Sequence, residues 1–599
     1  MRGILLLGAL ASTDPGRAIA QEHERRAPWP AVRWRAEVAE VEVDGRWHEL
    51  VAIDGTKGAD VVAFCRRTWP DLWQKRFEED LVEALARMGR PVGANVDLDL
   101  IDLATREKVR FTGVEMSRDH RDRLRRARAE AERNRATRRE PPAPSLSRAD
   151  ALADLEELDR LLRDGYSYYS RAAGPFGREL DAAKQSLPET LDLGDFARRV
   201  QGLLALLGDG HTGLRDLEEH LPDGCLPFLA AEAVGGIAAF RPDREALVDP
   251  DRPFLVALDG VPLETWLAAA GRLVARGSPD FVRWHSLRQL RFAAFLRQEL
   301  GLPPGRTVKV ELADAKGRRA AREVPLSSSK PLFGEWPRSR SRMLEGGAGY
   351  LRIASMDDGP EALAALHAAM AQLAAADALV IDVRGNGGGS RRILRELFPY
   401  FMREGDPPRV ANVAAYRLPA GDPAGAPEGY LADRWLFPLT SGEWNAAERR
   451  TLAGFAKGFR PRWTPPASAF SDWHFFVLRP DLPAGRTRFE RPVAILQDGG
   501  CFSATDVFLG AFQGWRGATR IGTTSGGGSG RAVTRRLSRS GLQFRASTMA
   551  SFRADGSLYD GAGVAPDVEV KPEATDFIGR TDAQLDAALA RLKAATARR

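Results

Sequence analysis

The sequence has almost no cysteine. Three thiols in 599 residues, Cys65, Cys225 and Cys501, are odd in number and far apart, which excludes a disulfide framework and any cysteine-based metal spacing. Histidine is scarce too. The eight present form no HExxH or other paired-ligand pattern, so a metal centre is not expected. An excess of one charge is also missing: Lys+Arg 87 against Asp+Glu 81 leaves +6, too weak a bias to argue for nucleic acid. Beyond the N-terminus there is no apolar stretch of the ~18 residues that a stable membrane span needs. At the N-terminus Arg2 precedes a short apolar run, Gly3 to Ala11, and Ala18-Ile19-Ala20 before Gln21 has the form of a cleavage site. Residues 1–20 are therefore expected to be a signal peptide, and the protein to be exported to the periplasm or beyond the cell.

What is present is a folded composition, 44% hydrophobic and 28% charged, on a chain long enough for several domains. Residues 21–117 mix alternating strand-like runs (Trp34 to Val43, Val96 to Ile101, Val109 to Val114) with a helical spacing over Asp71 to Met88. That predicts an α+β accessory domain. Residues 118–144 follow as an Arg/Pro-rich linker, with ten Arg and five acids before Pro141-Pro142-Ala143-Pro144. Over 145–217 amphipathic helices are expected. The first is capped by Ser147-x-x-Asp150, and a later one, about 195–207, runs into Gly208-Asp209-Gly210-His211-Thr212. Residues 218–332 are strand-rich. From 333 to 575 strand and helix alternate around the buried runs Leu379 to Val383 and Val493 to Leu496, as in an α/β layered core with parallel strands. A Trp/Pro-rich insertion, 405–490, interrupts this core, and 576–599 closes the chain as a helix.

Three loops could carry chemistry. Arg384-Gly385-Asn386-Gly387-Gly388-Gly389-Ser390 follows a buried strand, and its glycines can turn backbone N–H groups outward toward an anion or oxyanion. It lacks the GK[ST] ending of a phosphate loop, and a plain tight turn would look the same. Gly499-Gly500-Cys501-Phe502-Ser503-Ala504-Thr505-Asp506 opens a helix. Ser503 is there either an N-cap with Asp506 as its capping partner, or a nucleophile beside the positive helix end, with Cys501 as its rival. In Asp555 to Asp567, Asp560 is either a solvated turn residue or an acid that orients a base. His211, flanked by Gly210 and Thr212 at a helix end, stands out among the histidines.

Taken in order, Asp209-Gly210-His211-Thr212, Asp382 to Gly389, Ser503 to Asp506 and Gly561-Ala562-Gly563-Val564-Ala565-Pro566-Asp567 resemble the tail-specific (C-terminal-processing) serine peptidases. The similarity is to their tricorn-like, interphotoreceptor-retinoid-binding-protein-like branch, and it covers roughly 150–570. It implies a crotonase-like (ClpP/crotonase) core over 333–575, a preceding helical segment that carries His211, and a PDZ-like module over 218–332. It also implies a Ser/His/acid triad. Where the other branch carries a catalytic Lys, this chain reads Gly522 to Gly530 without one, and Arg531 is too basic to serve as a neutral base.

The resemblance makes Ser503 the nucleophile and His211 its base, with Asp560 where relatives carry Glu. Backbone N–H groups of Gly388 or Gly387 and of Ala504 would form the oxyanion hole. The expected function is that of a serine endopeptidase acting on protein or peptide substrates through an acyl-enzyme, without metal or organic cofactor. The alternatives are a non-catalytic binder of apolar ligands or peptides, for which Trp435, Trp444, Trp463 and Trp473 would be lining candidates, and an esterase or amidase with the same triad. Oligomeric state is not legible.

Overall fold

A computed structural model describes residues 26–35, 38–69, 73–137, 145–418 and 429–597, with only the backbone of 129–137. The expected signal peptide lies outside the described residues. Among them, no helix is long and apolar enough to cross a membrane. The chain divides into two compact units, 1–142 and 143–599.

In the first unit an antiparallel sheet runs in the order Val32–Arg35, Val38–Val43, Arg46–Ile53, Asn95–Asp102, Lys108–Glu115. One face packs Val41, Leu98 and Leu100 against Val61, Phe77 and Leu85 of short helices. The helix expected over Asp71 to Met88 is two, Trp73–Glu78 and Leu81–Arg87. The break falls at Glu79 and Asp80, which are buried; Asp80 accepts bonds from Lys75 (3.0 Å) and Arg76 (3.2 Å), as a buried carboxylate must find a partner. The Arg-rich segment begins as a helix, Arg118–Thr137, that docks on this unit. Leu124 is buried and Arg128 donates to Glu79 at 2.8 Å, so this stretch is part of the domain rather than a free linker.

The second unit starts with three helices, Arg148–Gly165, Tyr169–Gln185 and Leu193–Ala205. Ser147 caps the first through the N–H of Asp150, and Asp192 caps the third through Gly194 at 2.8 Å. Leu155, Leu158, Leu162, Phe196 and Val200 face one core, as their spacing predicted, and Phe176 of the second helix joins them. An antiparallel sheet follows in the order Leu229–Ala233, Gly236–Phe240, Phe254–Leu258, Thr307–Ala313, Arg319–Pro325, with helices Leu263–Gly271, Pro279–Gln289 and Ala293–Glu299.

The central sheet runs Arg342–Met343, Ala348–Arg352, Ala378–Asp382, Val493–Gln497, Ala518–Gly522, Val568–Glu569, parallel throughout after the first, antiparallel pair. Both faces are covered, which is why its middle strands are apolar without alternation. Leu351, Leu379, Ile381 and Ile495 pack under helices Pro360–Gln372 and Ala504–Ala511, while Val380, Ala494 and Leu496 meet the C-terminal helix Ala583–Thr596. The stretch read as an insertion supplies strands of its own. Phe437–Pro438, His474–Leu478 and Arg409–Tyr416 join Met549–Phe552 in a further sheet against the helical segment. Trp444 is buried there, Trp463 and Trp473 pack against the same core, and Trp435 packs against the central one. The result is a mixed α/β fold with several sheets.

Candidate active site

The strand Ala378–Asp382 delivers the Gly-rich loop and the strand Val493–Gln497 delivers the Ser503 loop, side by side at their C-terminal ends. The first loop is anchored by charge. Arg384 is fully buried and pairs with Asp382 at 2.6 Å and with both oxygens of Asp582 at 2.8 Å. Burial works against the Asp382 carboxylate, but Arg384 and Arg352 outweigh it and hold its pKa below the usual range. Asn386 then joins the loops: its Nδ2 donates to Ile353 O (2.9 Å), its Oδ1 accepts from Gly388 N and Thr505 Oγ1 (both 2.9 Å), and its carbonyl accepts from Phe502 N (3.0 Å).

Ser503 sits at the first position before helix Ala504–Ala511 with φ 62° and ψ −117°, a conformation L-residues rarely adopt. Its side chain makes no capping bond. The Oγ lies instead 3.1 Å from Nε2 of His211. The Ser503 hydroxyl therefore does not cap the helix, although the Asp506 carboxylate does accept from the Ser503 backbone N–H. Asp506 is buried and accepts from Ser525 Oγ (2.5 Å) and from the N–H groups of Gly527 and Gly528 (both 3.0 Å). Burial pushes its pKa up to about 7. Its role is to fold the 525–528 loop beneath the serine. The rival nucleophile Cys501 is fully buried, donates to Val383 O at 3.0 Å and has its pKa raised by burial, so it is a packed thiol.

His211 is packed against the Phe502 ring at 4.5 Å, and Phe502 stacks on Phe281 at 4.8 Å. A Cβ on Gly528 would lie 3.0 Å from His211 Nδ1 and would run into Phe502, so only glycine lets this loop pass. The start of helix Pro279–Gln289 holds the same loop: Ser278 Oγ donates to Ser525 O (2.7 Å), Ser278 N to Gly526 O (2.8 Å), and Asp280 accepts from Thr524 N (2.7 Å). Burial, with the Arg434 and Arg545 cations, lowers the His211 pKa to about 3. At neutral pH the ring is uncharged, with one of its two nitrogens able to accept a proton.

Asp560 is buried close by. One of its oxygens, one of Asp209 and a ring nitrogen of His211 lie within 4.8 Å of one another. Its bonds go elsewhere, however: Oδ2 accepts from the Tyr168 hydroxyl, and Oδ1 accepts from Ser529 N (2.9 Å) and Gly530 N (3.2 Å). Burial first, and the neighbouring Asp209 charge second, push its pKa up to about 7.

A Cβ on Gly388 would fall 2.7 Å from Ser503 Cβ and 3.0 Å from Ala504 N, so the Gly-rich loop lies directly against Ser503. The Gly388 N–H is occupied by Asn386 Oδ1. Among the described hydrogen bonds those of Gly387 and Ala504 are unspent, the latter because the first amide of a helix has no intrahelical acceptor. Asn386 and Tyr168 were missed in the sequence. Asn386 lay inside the quoted Gly-rich motif, whereas Tyr168 carried no local signal. A cavity of about 590 Å³ lies away from this chemistry, beside Val234, Gly236, Leu255 and Arg283.

Known proteins resemble this chain in sequence and in fold. Residues 347–570 match the model of peptidase family S41. A carboxy-terminal-processing protease of Bartonella bacilliformis is 34% identical over 95 residues, which are 16% of this chain and 22% of that protein. The chain thus spans about a fifth of the length of the relative it matches. Two solved structures of mature CPAF, one complexed with lactacystin, are 17% identical. Each covers 75% of this chain; 98% and 96% of the CPAF chains are matched, with TM-scores of 0.51 and 0.52. The fold is shared with them, and the resemblance to C-terminal-processing peptidases of family S41 drawn from the four motifs holds.

Proposed function

We propose that this chain, whose residues 347–570 are its S41 segment, hydrolyses peptide bonds as a serine endopeptidase through an acyl-enzyme. The observation that carries this is the 3.1 Å contact of His211 Nε2 with Ser503 Oγ, on a serine held at φ 62° with no capping duty. A neutral imidazole accepts the hydroxyl proton as Oγ attacks the peptide carbonyl. The negative oxygen of the tetrahedral intermediate is stabilised by the N–H groups of Ala504 and Gly387, and the helix Ala504–Ala511 adds its positive end. His211 then gives the proton to the leaving amine, and water repeats the sequence to release the acid. Asp560, with an oxygen within 4.8 Å of a ring nitrogen, favours the imidazolium by its charge rather than by a hydrogen bond. No step requires a metal or organic cofactor.

The buried parallel sheet supports a crotonase-like core, and the sheet and helices of 225–327 support a PDZ-like module. In that module the 590 Å³ cavity, floored by Ile237 and Leu255, is the place for a substrate chain. A fluorophosphonate probe tests the reading. Wild type should label at Ser503 and Ser503→Ala should not; a protein that stays unlabelled is a binder. Casein against a short-chain ester then separates peptidase from esterase.

A further inference from the structure

The Nδ1 of His211 is buried and has no hydrogen-bond partner among the described residues. In a triad this atom carries the proton whose acceptor fixes the ring. Asp560, the expected acceptor, spends its oxygens on Tyr168, Ser529 and Gly530. Asp209 is differently placed. Its Oδ1 lies 3.8 Å from Nδ1 and accepts one backbone bond, from His211 N at 3.0 Å, while Oδ2 accepts from Thr212 Oγ1 at 2.6 Å. A carboxylate oxygen has room for a second donor. Closing the gap to hydrogen-bond distance needs a movement of about 1 Å, within the tightening that apo sites undergo.

We infer that Asp209 is a positioning residue of the peptidase, sharing with Asp560 the task of holding His211 with its proton on Nδ1. The inference rests on the Ser503–His211 reading. Chain chemistry explains the division of labour: Asp is one carbon shorter than Glu, so an acid at position 560 that stays bonded to Tyr168 stops short of the ring. Two buried carboxyls so close together carry one negative charge more easily than two. Their cationic surroundings are Arg434 and Arg545 on the ring side and Arg391, which donates to Ser529 Oγ at 3.0 Å, beyond Asp560.

Asp209→Asn separates this from a structural role, because Asn keeps the Oδ1 acceptor for the His211 amide and hence the turn. Turnover in Asp209→Asn should fall roughly 10- to 100-fold with KM within about twofold, and Asp209→Asn/Asp560→Asn should lose on the order of 10³ or more. Nitrogen NMR of histidine-labelled protein, with His211→Gln to assign the signal, reads the tautomer directly. Wild type should show the Nδ1–H form, and Asp209→Asn a mixture. An unchanged tautomer in Asp209→Asn overturns the inference, as does wild-type turnover. The NMR readout does not need activity. Failure of wild type to label with fluorophosphonate would therefore sink the peptidase reading and still leave the hold of Asp209 on the ring measurable.

Discussion

His211 Nε2 and Ser503 Oγ are 3.1 Å apart although 292 positions separate them in the chain. His211 comes from the end of a helical segment, Ser503 from the core, and neither has another side-chain hydrogen bond at these atoms among those described. Ser503→Ala and His211→Gln should each remove hydrolysis to near background, a loss on the order of 10⁴ or more, with melting temperature little changed. Rates and melting curves on the two variants check this. Substantial turnover in either would end the assignment.

Gly388 adopts φ 102°, and a Cβ there would lie 2.6 Å from Phe502 O and 2.7 Å from Ser503 Cβ. Gly388→Ala should push the Gly-rich loop off the nucleophile and lower kcat by ~100-fold or more, the scale of losing an oxyanion donor, with a smaller effect on KM. A folded Gly388→Ala protein with normal kcat would show that the loop does not serve the oxyanion.

Backbone strain at Ser503 is a cost that function imposes. Ser503→Gly removes the Cβ penalty of the positive φ, and the gain exceeds the extra entropy of an unfolded glycine. The inactive Ser503→Gly protein should be the more stable one by about 1 kcal/mol. Denaturant melts of Ser503→Gly and Ser503→Ala measure it; equal midpoints would mean that the conformation is unstrained.

Asp560 has a folded-state pKa of about 7, above its ordinary 3.8. The folded protein thus binds this proton more tightly than the unfolded chain. Its stabilising contribution is complete below the ordinary carboxylate range and is lost as pH climbs through about 7. Asp560→Asn has no proton to lose. Its melting temperature relative to wild type should rise between pH 5 and pH 8, and its rate profile should lack a limb near pH 7. Asp560→Glu, one carbon longer, should reach toward the ring and retain activity within about tenfold of wild type. A parallel pH dependence of melting in wild type and Asp560→Asn would remove the buried acid from this account.

The sequence was legible where a pattern is local. Leu155, Leu158 and Leu162 announced a helix face, and the unbroken apolar run at Leu379 to Val383 announced a strand buried on both sides. The four motifs, through the family they resemble, marked His211 as the base of Ser503 and so implied that the two meet, as they do at 3.1 Å. What could not be read depends on partners far along the chain. Tyr168 bonds to Asp560 across 392 positions, and the split of the Asp71–Met88 helix follows from burying Glu79 and Asp80. Residues 405–490 contain strands but read as an insertion, because their sheet closes only with Met549–Phe552. The choice between Gly388 and Gly387 as oxyanion donor could not be read for a similar reason. Asn386 takes the Gly388 N–H, and spacing alone gives no sign of which amide a side chain will claim.

The long separation of base and nucleophile bears on how the protein is made. A chain that has emerged only as far as residue 500 already holds its histidine and the whole of the 218–332 module, but no attacking group. The 525–528 loop that packs on the ring, and Asp560 behind it, arrive later still. On the proposed reading, hydrolysis therefore has to wait until residues 503–560 have been made and folded.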